Sequence, residues 1–468
     1  MLFGRVSPHI CKPPSPGLHA TARNAGGAFR LPVKTPSRQV LLVSVTAVLR
    51  PTADSVLAAA WLLGILFAFN IFDESRRLPG MLVALCWIGP YAALRVMARR
   101  RSYSAVKAVG RPLVFFAVFL VACLPGSVYS RDSSVALGYL AATAVGGATC
   151  VLVGLLLGPQ LKRALTLYAV VGTAGILWIF ANYYTGGRFG IFRNPNSVGL
   201  ILLGLFTFSF LIKRRSLRVP VAFTALVLLA LTESRSALLG SVACVSVMAL
   251  RAWQRWKRMT RVAALAALST AGMLVMANAS QVYTVLSVLM KLDDPWRGIA
   301  STHGTTIQGR IQVWRETVQV WREHPWVGVG YRTHETHIIS ESSSHNGYLA
   351  ILAETGVVGA TALLVFLVFA LRRLRAVARQ GSRLAWVGLA VVVGHGVVGV
   401  FERYLLNLGN PTSVAVMLFL LMPWPERRLM VSPRRTQAPH RYALRGRVSW
   451  TISATPPMDA RMSRVQKP

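Results

Sequence analysis

The chain has 468 residues, 54% of them hydrophobic, and a mean hydropathy of +0.49, which excludes an ordinary soluble domain. It also carries a formal net charge of +37. A nucleic-acid binder of that charge would lack apolar runs this long, so the two facts meet in a membrane protein whose basic loops lie against anionic lipid.

Residues 1–39 hold Arg5, Lys12, Arg23, Arg30, Lys34 and Arg38, no acidic residue, and scattered Pro and Gly; they read as a disordered basic cytoplasmic arm. Run 40–49 is too short to span and is expected at the interface. Apolar runs follow at 55–72, 81–97, 112–128, 135–157, 164–183, 198–212, 219–232, 236–250, 262–277, 356–371, 384–401 and 412–424. A helix crossing the ~30 Å hydrocarbon core needs about 20 apolar residues. The expected fold is therefore all-α: a polytopic bundle of about 12 transmembrane helices within residues 40–424. A basic cytoplasmic tail covers 425–468.

Charge sets the expected orientation. The even-numbered runs are followed by clusters such as Arg99–Arg101, Lys162 with Arg163, Lys213–Arg215, Arg251 through Arg261, and Arg372 through Arg383. The positive-inside rule places these loops, and both termini, in the cytoplasm. Of the 15 acidic residues, Asp54, Glu426 and Asp459 then fall inside and the other 12 fall outside or at its border. Runs 219–232 and 236–250 form a hairpin in this scheme. Arms of about 14 residues rise only about 21 Å, which would sink the turn holding Glu233 and Arg235 below the outer surface, facing protein or a water-filled cavity.

Cys11 lies in the arm, and Cys86, Cys123, Cys150 and Cys244 lie in apolar runs. That distribution implies packing residues rather than a disulfide framework or metal site. The long polar stretch from about 278 to 355 holds His303, His324, His334, His337 and His345, five of the nine histidines. Loops of this length form lids or sites. Within it, GRIQVWRETVQVWRE (309–323) reads as an amphipathic helix with Ile311, Trp314, Val318 and Trp321 on an apolar face suited to the membrane interface. His334 and His337 flank Glu335, but the spacing is not that of a zinc helix, and no metal is expected.

Three outward segments share this side: GGRFGIFRNPNSVG (186–199), LTESRSALLG (231–240), and Glu402 with Arg403. Arg188, Arg193, Arg235, Arg310 and His345 suit transfer from a diphosphate-linked lipid. Arginine forks match phosphate oxygens, and a histidine takes a proton from an attacking hydroxyl near neutral pH. Each has a plainer alternative. Arg188 and Arg193 are also placed to snorkel, Arg235 to pair with Glu233, Arg310 to be solvated, and His345 to cap or pack. Asn194-Pro195-Asn196 also reads as a turn opening the sixth helix, with Asn196 as its cap.

Residues 309–366 resemble the signature of the O-antigen ligase and the O-antigen and exopolysaccharide polymerase family. The match runs through Arg310, Trp314, Pro325, Gly328, Gly330, His345, Asn346, Leu349, Glu354 and Gly356. Arg188 through Asn196 and Thr232 with Ser234 and Arg235 resemble two further family segments, whereas 278–308 has no recognised counterpart. The resemblance implies a lipid-dependent glycosyltransferase fold and an undecaprenyl-diphosphate-linked glycan as donor. It makes His345 the catalytic residue and Arg188, Arg235 and Arg310 the diphosphate clamp. Arg193, Glu354, Glu233 and Asn346 are weaker candidates. It implies no cofactor and no nucleic acid. The partners are the lipid bilayer, the lipid-linked glycan and an acceptor that is a glycan, lipid A core or protein. The inner membrane, with the site facing the periplasm or cell exterior, is the implied location. The rival reading is a polysaccharide or solute transporter or flippase.

Overall fold

The structure is a computed structural model that describes residues 52–71, 87–98, 102–183, 194–281, 307–339 and 343–424. The expected arm 1–39, the run 40–49, the tail 425–468, Arg188, Arg193, Cys11 and Cys86 lie outside the described residues.

Among the described residues the fold is helical, without strands. The chain begins with α1 (Ala53–Ile71), α2 (Ile88–Ala98), α3 (Ser102–Val128), α4 (Ser133–Leu157) and α5 (Leu161–Tyr183). It continues with α6 (Pro195–Ser209), α7 (Arg215–Leu231), α8 (Arg235–Arg255) and α9 (Arg258–Ala277). After α10 (Ile307–Glu323) come α11 (Gly347–Arg379), α12 (Arg383–Phe401) and α13 (Pro411–Leu421). Each apolar run read from the sequence coincides with part of a helix. Among the described residues six helices are long and apolar enough to cross a bilayer: α3 from Gly110, α4, α5, α8, α11 and α12. Ala53–Leu66, α6 and α13 are shorter apolar helices.

Burial separates the centre of the bundle from its rim. In α6 every residue from Val198 to Ser209 is buried, and α13 is buried along its whole length. These two can be short because protein, rather than lipid, surrounds them. The rim carries large exposed apolar side chains, among them Val121, Trp178, Phe223, Val242 and Leu364. Water would penalise such a surface, and lipid accepts it. The closest pairing is α8 against α12. Its backbones meet where a Cβ on Gly240 would lie 2.8 Å from the Gly394 carbonyl and one on Gly394 2.3 Å from Cys244 Sγ. Small residues at the crossing permit the dense packing that holds helices together where lipid supplies no hydrophobic drive. Cys123, Cys150 and Cys244 are buried free thiols.

The hairpin arms α7 and α8 have 17 and 21 residues. Arg215, Arg218, Arg251 and Arg255 lengthen them beyond the apolar runs at the end away from the turn; at the turn Glu233 is exposed, between buried Thr232 and Ser234. One expectation changes. In α10 the buried stripe is Val313, Thr317 and Val320, and Ile311 is exposed. The helix turns that stripe onto Val329, Ile338 and Ala353, a small core of its own, rather than offering the expected face to a membrane interface.

Candidate active site

The site is built around a break in α11. Gly356, at φ 61°, interrupts the helix and leaves main-chain groups on both sides without helical partners. The segment after α10 supplies them. Val329 N–H and Gly330 N–H donate to the carbonyls of Ala353 (3.1 Å) and Glu354 (3.0 Å). Val357 N–H and Val358 N–H donate to those of Pro325 (2.8 Å) and Trp326 (3.2 Å). The approach demands glycine on both chains. A Cβ on Gly328 would sit 2.3 Å from the Glu354 carbonyl carbon, and one on Gly356 2.2 Å from the Trp326 oxygen. The proline and spaced glycines of the sequence motif are thus the two halves of one backbone joint.

Beneath the joint lies a closed polar cluster. Glu354 is 1% exposed; its Oε1 takes a hydrogen bond from His334 Nδ1 at 2.6 Å and contacts Arg403 Nη2. His334 Nε2 accepts from the Ser344 N–H at 3.3 Å, which places the imidazole proton on Nδ1. Arg403 reaches Glu335 with its other arm, 2.5 Å away. Burial works against the charge on Arg403, but Glu354 and Glu335 more than offset it and hold its pKa above the ordinary value. Arg332 adds a bond to the Leu405 carbonyl at 3.1 Å.

Ser344 and Asn346 hold His345 from either side. The Ser344 carbonyl accepts from Trp314 Nε1 at 2.7 Å, and the Ser344 hydroxyl donates to the Asn346 carbonyl at 3.0 Å. Asn346 caps α11 by accepting from the N–H groups of Tyr348 (3.0 Å) and Leu349 (3.1 Å). His345 between them takes φ 47°, a left-handed conformation that costs a side chain about 1–3 kcal/mol and persists only where its neighbours impose it. Glu233 (φ 55°), Arg332 (φ 68°) and Leu406 (φ 54°) are the other described non-glycine residues with positive φ.

Glu402, at the end of α12, is the hub. Its Oε1 accepts from Asn196 Nδ2 at 2.7 Å and from Arg310 Nη2 at 3.2 Å; its Oε2 lies 3.5 Å from His345 Nδ1. Arg310 Nη1 also donates to the Phe401 carbonyl at 3.0 Å. The expected capping role of Asn196 belongs instead to Asn194, whose side chain accepts from the N–H groups of Asn196 and Ser197. With Pro195 opening the helix, the Asn196 amide is left to reach Glu402. The hairpin turn adjoins the same place, since a Cβ on Gly199 would lie 2.6 Å from Ser234. Arg235, half-buried, opens α8 one residue later.

Residues 220–364 match the family model described as O-antigen ligase. This segment belongs to the O-antigen ligase family. No curated protein matches the chain. With its apolar helices, the O-antigen ligase segment marks a multi-pass membrane protein of that type. The matched segment contains Arg235, Arg310, His334, His345 and Glu354. It ends before Glu402 and Arg403 and begins after Asn196, so the carboxylate on which Arg310 and His345 meet comes from outside the O-antigen ligase match.

Sequence reasoning placed Arg310 and His345 as candidates, and both reach Glu402. Glu402 stood out in the sequence only with Arg403, as an outward pair after an apolar run. His334 stood out only with His337, as a pair flanking Glu335 at a spacing that does not suit a zinc helix.

Proposed function

We propose that this protein is an inverting glycosyltransferase that moves a glycan from undecaprenyl diphosphate to an acceptor hydroxyl on the periplasmic face. The observation that carries the reading is the meeting of His345 and Arg310 on Glu402. A neutral His345 that directs Nδ1–H at Glu402 presents the lone pair of Nε2 for the acceptor proton. As that proton moves to Nε2, the acceptor oxygen bonds to the anomeric carbon and the carbon–oxygen bond to the diphosphate breaks. The Glu402 carboxylate stabilises the imidazolium that forms.

The leaving diphosphate needs fixed positive charge. Arg310 spends one N–H of Nη1 and one of Nη2 on protein, which leaves three donors for phosphate oxygens. Arg235 and Arg188 complete the clamp in this reading, with Arg193 a weaker candidate for the same role. Each well-placed donor lowers the barrier by about 3–4 kcal/mol. The acceptor class, whether a growing glycan, lipid A core or a protein hydroxyl, sets ligase against polymerase.

The test is His345→Ala in membranes supplied with lipid-linked glycan. Transfer should fall by about 10²-fold or more while the amount of protein in the membrane is unchanged. Transfer near the normal rate would remove His345 as the base. Loss of glycan-lipid export without loss of transfer would favour a flippase.

A further inference from the structure

At the end of α6, α8 and α12 remote from Glu402, the bundle gathers six cations. Lys162 lies in the first turn of α5, Lys213 precedes α7, and Arg218 lies in the first turn of α7. Arg251 and Arg255 close α8, and Arg383 opens α12. The electrostatic neighbours of Lys162 are Arg383, Lys213 and Arg251; those of Arg251 are Arg255 and Arg383; those of Arg383 are Arg218 and Arg255. Among the described residues no carboxylate figures among them. Asp54, an acid at this end of the bundle, accepts from the Tyr91 hydroxyl at 2.7 Å and lies 3.7 Å from Arg95.

Loop cations that merely obey the positive-inside rule extend into water and separate. Four of these six, Lys162, Arg218, Arg251 and Arg383, are instead drawn partly out of water. Arg383 Nη2 donates to the Ile212 carbonyl (3.4 Å) and Arg255 Nη2 to the Gly381 carbonyl (3.5 Å), which ties the charges to the helix ends. Lys162, Arg251 and Arg383 are only partly exposed, and Arg251 Nε is buried without a hydrogen-bond partner. Drawing like charges together and drying them costs free energy unless an anion completes the group.

We propose that this cluster is a binding site for the phosphate of an anionic lipid. An arginine fork fits phosphate oxygens, and Arg251 Nε is an unused donor within the group. The lipid source follows from position. The cations sit at the ends of spanning helices, and Trp253 and Trp256, adjoining Arg255, form an aromatic pair 6.2 Å apart of the kind found at the membrane interface.

The full-length protein in detergent, examined by native mass spectrometry, tests this with added dioleoylphosphatidylglycerol, dioleoylphosphatidylcholine or inorganic phosphate. The unmodified protein should retain phosphatidylglycerol over phosphatidylcholine. Arg251→Gln with Arg383→Gln should weaken that retention roughly fivefold per charge removed, and Arg215→Gln, exposed at the same end, should leave it in place. Undiminished retention by the double variant, or equal retention of the two lipids, overturns the proposal. Inorganic phosphate that displaces phosphatidylglycerol supports it, whereas phosphate binding without lipid retention moves the source to solution and overturns the lipid assignment. If the double variant loses its thermal transition, the exposed Arg255→Gln replaces it, with a fivefold loss expected and undiminished retention fatal.

Discussion

The loop system contains two clusters made from the same residue types, a glutamate, a histidine and an arginine, and they are built to opposite specifications. Around Glu354 the carboxylate is 1% exposed, His334 is fully buried, and the contacts are short. Around Glu402 the carboxylate is equally sheltered, but Arg310 and His345 retain 21% and 26% side-chain exposure, and the histidine stands 3.5 Å away. The first cluster turns its contacts inward, with Arg403 Nε alone left without a partner, and acts as a brace. The second keeps donors and a ring nitrogen in reserve, which is what a group that must meet substrate requires. Identical side chains therefore reveal their task through how completely neighbours saturate them.

Substitutions can break or sharpen that contrast. Glu354→Ala strips the partner from a buried arginine and should cost about 3–5 kcal/mol, read as a large fall in Tm in detergent. Glu402→Gln should leave Tm nearly unchanged while transfer falls by about 10²-fold. Were Glu402→Gln to destabilise as severely as Glu354→Ala, the two clusters would be braces alike. The smallest effect belongs to His337, beside the closed cluster. Burial, then the charges of Arg131 and His324, hold its pKa below the ordinary 6.5. The unfolded chain therefore takes up the proton first, and the fold loses stability as pH falls from 6.5 toward the lower folded value. His337→Gln should flatten that part of a Tm-versus-pH curve.

What the sequence revealed tracks how local each feature is. Helices follow from runs of apolar residues and so were readable. The glycines of the α10–α11 joint and Asn346 were readable only as positions in a family motif, because the joint pairs Gly328 with Glu354 and Gly356 with Trp326 across the intervening loop, and the cap of Asn346 shows only once α11 has formed. Glu402 was not readable as a hub, because its partners lie 206, 92 and 57 residues away and no periodicity connects them. The register of α10 failed for a related reason. Its pattern allows two overlapping apolar stripes, and the choice between them is made by Val329, Ile338 and Ala353 arriving from elsewhere. Asn194 and Asn196 are both competent caps by residue type, and only the position of Pro195 at the helix start separates them.

The joint at Gly356 has a mechanical corollary. Four main-chain hydrogen bonds stitch residues 325–330 to both sides of the break. Lifting this segment away would forfeit about 4 kcal/mol from those bonds, before any strain is counted. The segment is thus a fixed wall rather than a door, and under the proposed function a long-tailed donor slides in along it, with its tail still in the bilayer, instead of waiting for it to swing open.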